Sequence, residues 1–273
     1  MDKENKDFSQ DYNDEEMDLE AFFIVDEAQE WEKDKAKRRK RKSIIVKIIS
    51  SLLVFAILIS GLGTWFDVFN LPAFRFLEVS KKLSKNPEVS EYKNSVVTIE
   101  WDGVKGTGFT IAPNGLIVTN AHVVANTKRA NVYFRTGESF VGKVIARDPE
   151  LDLAIVDIDG NNLSFLPLAF DKDWEKWAGE KITFIGNPLA YNQIANEGTI
   201  VGEVILKDWD VPVMMIQAPI YKGNSGSPVI NRNGEVVGVI FATLQNPTIA
   251  TKETIGAAIP AYYIKNILDK VNN

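Results

Sequence analysis

The sequence predicts an all-β domain of two small packed barrels over residues 91–273, preceded by one transmembrane helix. Three features predict it. Short β-branched runs recur between turn residues from Val96 to Thr243. Beyond residue 91 only AYYIKNILDKV (261–271) spaces its apolar residues as a helix does. Ile48 to Phe66, nineteen residues without a charge, directly follow a basic block.

Composition narrows the chemistry before any motif is read. The 273 residues include one histidine and no cysteine, and the formal net charge is −6. Absent cysteine rules out a disulfide framework, an iron–sulfur centre, a thiolate zinc site and a cysteine nucleophile. One imidazole cannot build a zinc site that needs two. Neither a metal nor another cofactor is expected. A net negative charge argues against a nucleic-acid surface, since phosphate binding requires a basic face.

The charge is strongly segregated along the chain. Residues 1–32 carry thirteen Asp or Glu against Lys3 and Lys6, and residues 33–42 (KDKAKRRKRK) carry eight basic residues against Asp34. This acidic-then-basic tail, residues 1–42, is expected in the cytoplasm by the positive-inside rule. Residues 43–66 then read as the transmembrane helix. Its uncharged stretch would span roughly 28 Å of hydrocarbon at about 1.5 Å per residue, in contact with membrane lipid. Lys47 can snorkel to the basic side, and Trp65 stands at an interfacial position. A cleaved signal peptide is disfavoured by the 42-residue lead and by the lack of an A-x-A-like site. Residues 67–90, with Pro72, Pro87 and SKKLSKNPEVSE, read as a stalk whose LPAFRFLEVSKKLS stretch can form a short amphipathic helix.

The β runs follow in order: 95–101, 107–112, 116–121, 131–136, 139–146, 153–158, 182–186, 199–206, 213–218 and 235–243. Pro113-Asn114-Gly115, Thr136-Gly137-Glu138 and Asn233-Gly234 separate them with turn chemistry. Such dense strands suit a sandwich or barrel rather than βαβ units, and about 180 residues of this kind can form two small packed barrels. A cleft between two barrels is a natural place for a site.

Three residue types there can combine into nucleophilic catalysis. His122 ends the apolar run IVTNAHVV, and Ser225 lies in Lys222-Gly223-Asn224-Ser225-Gly226-Ser227-Pro228. A serine needs a base to become a nucleophile, and His122 is the chain's one imidazole. A glycine two residues before the serine lets the Gly223 and Ser225 N–H groups point together as an oxyanion hole. The imidazole needs an orienting carboxylate, and Glu138, Asp148, Glu150, Asp152, Asp157 and Asp159 lie between the two. Asp152 opens the apolar run Leu153–Val156, which favours a fixed, half-buried side chain, whereas Asp148 and Glu150 flank Pro149 in a solvated turn. The order His, Asp, Ser is that of two-barrel serine proteases and not of α/β-hydrolases or subtilisins.

GTGFTIAPNGLIVTNAHVV, ARDPELDLAIVDI, FIGNP, KGNSGSPVI and GAAIP, in this order over residues 91–268, resemble the protease domain of the HtrA (Do/Deg) family. The resemblance implies two packed six-stranded antiparallel barrels of the chymotrypsin/trypsin type with a short C-terminal helix. It also implies serine endopeptidase activity toward unfolded or exported polypeptides. His122, Asp152 and Ser225 carry over as the triad, and the Gly223 and Ser225 N–H groups as the oxyanion hole. Homotrimers occur in the family, although no residue here points to one. By the same resemblance the P1 pocket is lined by Pro219, Ile220, Ile240, Phe241, Ala242, Gly256, Ala257 and Ala258, with no carboxylate at its base. A small or aliphatic P1 residue is therefore expected.

Two departures qualify the resemblance. Ser227 stands where the family usually has glycine. The resulting GNSGSP is similar to the V8-type glutamyl endopeptidases, but those need a second histidine to bind glutamate. The chain also stops about thirteen residues after Pro260, where HtrA proteins usually continue into PDZ modules, so none is expected here. The expected product is a single-pass membrane protease with its catalytic domain outside the cytoplasm. The alternatives are a dedicated processing protease for one partner and a catalytically silent binding module. DKDWE (171–175) reads as a solvated turn rather than a calcium loop, and Trp174 and Trp177 as packing residues.

Overall fold

The computed structural model describes residues 31–57, 71–188, 191–207, 209–244 and 255–272. The chain divides into two compact units, Met1–Leu71 and Pro72–Asn273. In the first, a helix α1 covers residues 31–57, and Ile44, Ile45, Leu52, Leu53 and Phe55 on it are all more than half exposed. Among the described residues no helix is long and apolar enough to cross a membrane. The expected span of 43–66 runs on into residues 58–70, which lie outside the described residues, as does most of the acidic tail.

The second unit contains twelve strands in two closed barrels. The first barrel comprises β1 (Val96–Trp101), β2 (Val104–Thr110), β3 (Leu116–Thr119), β4 (Arg129–Tyr133), β5 (Ser139–Asp148) and β6 (Leu153–Asp157). They close antiparallel in the order β1-β2-β3-β6-β5-β4. The second comprises β7 (Lys181–Gly186), β8 (Ile194–Ile205), β9 (Pro212–Gln217), β10 (Pro228–Ile230), β11 (Val236–Leu244) and β12 (Ile255–Pro260), in the order β10-β11-β12-β9-β8-β7. Each barrel needs its strands to bend. Register shifts at Val144/Ala146, Ile200/Gly202, Val229/Ile230 and Ile240/Ala242 provide local kinks.

Alternation along the strands divides the apolar residues among three cores. Val97, Ile99, Ala154 and Val156 fill the first barrel, and Phe184, Ile216, Val229 and Val237 fill the second. Their sequence neighbours Val96, Leu153, Ile155, Ile185, Ile230 and Val236 point the other way, into a third cluster. That cluster draws residues from both barrels. Strands buried on both faces cannot alternate apolar with polar, which is why the sequence shows continuous runs.

The C-terminal helix (Tyr262–Asn272) drops Ile264 and Ile267 into this third cluster and packs against β5 and β6 of the first barrel. Lys270 Nζ lies 3.3 Å from Asp148. β10 and β12 escaped the run-based reading because three residues are too few to show a period and IGAAIP is poor in β-branched residues.

From Leu71 onward the segment read as a stalk is folded; residues 67–70 of it lie outside the described residues. Helix α2 (Leu71–Leu83) and helix α3 (Pro87–Tyr92, capped by the Asn86 side chain on Glu88 N–H at 2.9 Å) precede β1. Phe76 is 2% exposed, with its ring 5.8 Å from Tyr191 and 5.2 Å from Tyr221. Ala195 N–H donates to Ser80 Oγ at 3.0 Å. The compact unit thus starts at Pro72, about twenty residues earlier than polar composition suggests, because one aromatic and one hydroxyl suffice to dock the helix. Replacing Phe76 by alanine is expected to lower unfolding free energy by about 3 kcal/mol in urea titrations; a solvated stalk would give almost no change.

Candidate active site

Strand pairing brings two segments thirty residues apart into contact. β3 and β6 run antiparallel with Thr119 opposite Ala154, so the residues after β3 meet those before β6. Ala121 N–H and the Asn120 side-chain amide both donate to the Asp152 carbonyl, at 3.1 and 2.9 Å. His122 then opens a short 3₁₀ turn, His122–Val124. Its backbone N–H donates to Asp152 Oδ1 at 2.9 Å, and its ring Nδ1 lies 2.7 Å from Oδ2.

An ionised carboxylate only accepts, so Nδ1 is the donor of this pair, and in a neutral ring that arrangement leaves the lone pair on Nε2. Asp152 is mostly buried, whereas the imidazole is half exposed. Asp152 also has φ +49°, a conformation rare for a non-glycine residue, and four hydrogen bonds hold it there. Of the competing carboxylates, Asp148 accepts from Leu151 N–H and pairs with Lys270, and Glu138 accepts from Thr136 Oγ1.

Ser225 comes from the second barrel, in the turn between β9 and β10. Gly223 and Gly226 both have positive φ, +99° and +87°. A Cβ on Gly223 would collide with the Asn187 carbonyl, and one on Gly226 with the Thr107 carbonyl. Asn224, Gly226 and Ser227 N–H groups donate to the carbonyls of Tyr221, Ile240 and Asn224 at 2.8–3.0 Å. The Gly223 and Ser225 N–H groups have no partner among the described residues. Two unpaired donors therefore flank the serine, the feature an oxyanion hole requires.

The hydroxyl itself does not meet the imidazole. Ser225 Oγ donates to the Phe241 carbonyl at 3.5 Å, at the outer limit of a hydrogen bond. Among the described residues no hydrogen bond joins Ser225 to His122.

Other residues hold this geometry without any local signal in the sequence: Thr107 stands between two glycines and Asn187 between Gly186 and Pro188. Thr107, fully buried on β2, joins both halves. Its N–H donates to the Ser225 carbonyl (2.9 Å), its Oγ1 donates to the Gly223 carbonyl (2.8 Å), and its carbonyl accepts from Thr119 Oγ1 (2.7 Å). Asn187 N–H donates to Thr107 Oγ1 at 3.0 Å. The Asn187 side chain donates to the Val97 carbonyl at 2.9 Å and accepts from Gln193 N–H at 2.8 Å. Ser227, the departure from the family pattern, buries its hydroxyl with no partner among the described residues. It lies over Gly186, where a Cβ would collide with it.

The expected pocket residues fall into two groups. Gly256 sits against Ile220, whose Cδ1 occupies the space a Cβ would need, and Ala257 pairs with Ala242 across β11–β12. Phe241 stacks on Trp209 at 5.1 Å and 25°. Ile240 and Ala258 join the interior cluster of the second barrel, as Ile220 does, and Pro219 is exposed. Among the described residues no cluster of His, Asp and Glu could hold a metal ion. Trp177 packs into the second barrel's core at 8% exposure.

Comparison with known proteins agrees with this architecture. The family profile of the trypsin-like peptidase domain matches residues 106–239. A protein of Chlamydia muridarum named "Probable periplasmic serine endoprotease DegP-like" is 32% identical over 174 residues, covering 62% of this chain and 34% of that protein. The chain thus spans about a third of the length of the curated relatives it matches. The Rv3671c protease of M. tuberculosis, in its active form, superposes with a TM-score of 0.59 at 30% identity, covering 69% of this chain and 86% of that one. A serine endoprotease of Yersinia pestis gives 0.57 at 26% identity, over 68% and 65% of the two chains.

Two buried hydroxyls make a contrasting pair. Thr107→Val strands the Gly223 carbonyl and the Asn187 N–H, and is expected to cost about 2 kcal/mol in denaturant titrations. Ser227→Ala removes an unpartnered hydroxyl and is expected to leave stability within about 0.5 kcal/mol or raise it.

Proposed function

Because the chain belongs to the trypsin-like peptidase family, we propose that it is a membrane-anchored serine endopeptidase with Ser225, His122 and Asp152 as its triad. The observation that carries the reading is the double grip of Asp152 on His122. That grip leaves Nε2 to serve as the base, and the N–H groups of Gly223 and Ser225 are unpaired among the described residues.

In this mechanism Ser225 Oγ turns from the Phe241 carbonyl toward Nε2. As Oγ attacks the substrate carbonyl, its proton passes to Nε2, and the new oxyanion accepts hydrogen bonds from Gly223 and Ser225 N–H. The C–N bond then breaks, and the leaving amine takes the proton from Nε2. Water repeats the sequence on the acyl-enzyme and releases the acid. Asp152 keeps the ring in the Nδ1–H tautomer and stabilises the imidazolium.

The substrates in this reading are unfolded or exported polypeptides. Ile220 lying across Gly256 makes a shallow apolar P1 pocket, which suits Ala or Val and penalises a buried charge. The anchor is residues 43–66. It is supported by the uncharged run from Ile48 and by the exposure of the apolar side chains between 44 and 57. The basic block then faces the cytoplasm and the barrels face outward. A second reading, a silent binding module, is favoured by the Ser225–Phe241 hydrogen bond; measurable turnover excludes it.

His122→Ala and Ser225→Ala are each expected to lower casein-peptide turnover by about 10⁴ or more, with little further loss in the double variant. Full activity in either would remove the triad. Ile220→Ala is expected to shift sequenced cut sites from small toward larger aliphatic P1 residues; unchanged sites would place the pocket elsewhere. Protease added to wall-stripped cells should digest residues beyond about 67 and spare an N-terminal tag, whereas loss of the tag would reverse the orientation.

A further inference from the structure

A pocket of about 290 Å³ opens between β1, β4 and the segment leading into β8. Lys93, Thr98, Tyr133, Arg135, Asn192 and Gln193 line it. None of these belongs to the proposed triad or oxyanion hole.

Its charge balance is unusual. Lys93 is 8% exposed, and Arg135 shares the pocket with it. Among the described residues neither forms an ion pair. Lys93 Nζ donates once, to Ser84 Oγ at 2.6 Å, leaving two of its three donors unused. The Arg135 guanidinium makes two long contacts of 3.4 Å, both to neutral oxygens, of Ser90 and Asn94. Burial, and secondarily Arg135, holds the Lys93 ammonium below the usual lysine range. The carboxylates nearest in sequence, Glu88 and Glu91, form no ion pair with Lys93.

The neutral lining adds further donors. The Asn192 carbonyl oxygen already accepts from Lys105 at 2.7 Å, which leaves its NH₂ group available. Gln193 is committed, through its side chain to the Val96 carbonyl and through its N–H to Asn187. Two like charges around a donor-rich cavity repel each other unless an anion lies between them. Planar guanidinium plus ammonium is the donor set that suits a tetrahedral dianion.

We propose that this pocket is a binding site for a phosphate group, held by Lys93 and Arg135 with help from Asn192. The group arrives either as free phosphate or as the head of a small phosphate ester, and the volume accommodates both.

The test titrates inorganic phosphate and, separately, glycerol phosphate into the detergent-solubilised full chain, with chloride adjusted to fixed ionic strength and heat measured. Saturable binding is expected. Arg135 is exposed, so Arg135→Gln should fold, and it is expected to weaken binding at least about tenfold. Should that variant fail to fold, the exposed Asn192→Ala takes its place, with an expected loss of about threefold. Tighter binding of the ester assigns the site to a phosphate ester, and tighter binding of the free ion assigns it to phosphate. No saturable heat with either probe, or affinity unchanged by the substitution, overturns the proposal.

Discussion

The candidate site depends on one buried residue, Thr107. It belongs to the first barrel, yet its N–H and hydroxyl are both spent on the serine turn of the second. Its carbonyl is held by Thr119, three residues before His122, and Gly226 can approach that carbonyl only because it lacks a Cβ. Movement of the serine turn relative to the histidine strand therefore breaks hydrogen bonds that have no water to replace them. In a buried setting each stranded group costs about 1–3 kcal/mol, so the relative position of the His122 and Ser225 segments is set by polar contacts at the seam. The apolar third cluster supplies the cohesion; Thr107 and Asn187 supply the register.

A different balance operates at the two ends of this link. Asp152 is fixed in an uncommon backbone conformation by four hydrogen bonds, and the His122 ring is oriented as a consequence. The Ser225 hydroxyl, by contrast, is held by a single 3.5 Å contact to the Phe241 carbonyl. A firmly held His122 and a loosely held Ser225 hydroxyl are what the proposed mechanism needs, since the hydroxyl can reorient at little cost. The same Phe241 stacks on Trp209, so the residue that accepts the resting hydroxyl also forms part of the apolar wall.

Much of this was legible in the sequence, for identifiable reasons. The apolar run LAIVDI reported its strand because that strand is buried on both faces, and TIVGEVIL reported its own through β-branched residues even though Val201 and Ile205 are exposed. His122 and Ser225 stood out through the scarcity of histidine and the glycines around the serine, and Asp152 through its place at the head of β6. Three things were hidden. β12 contains Gly256, where Ile220 fills the space a side chain would need, and small residues give no β-branched signal. Phe76 docks a helix whose neighbours look like a polar linker. Thr107, Asn187 and Gln193 are joined by contacts across 80 to 116 residues, a separation no local pattern encodes.

The central claim is that the Thr107 link presents Ser225 to a His122 base. Intact-mass measurement after reaction with a fluorophosphonate tests it most directly. The account predicts one covalent adduct, mapped to Ser225, that forms much more slowly in Thr107→Val even where that variant is fully folded. An adduct elsewhere, no adduct at all, or an unchanged labelling rate in folded Thr107→Val would contradict it.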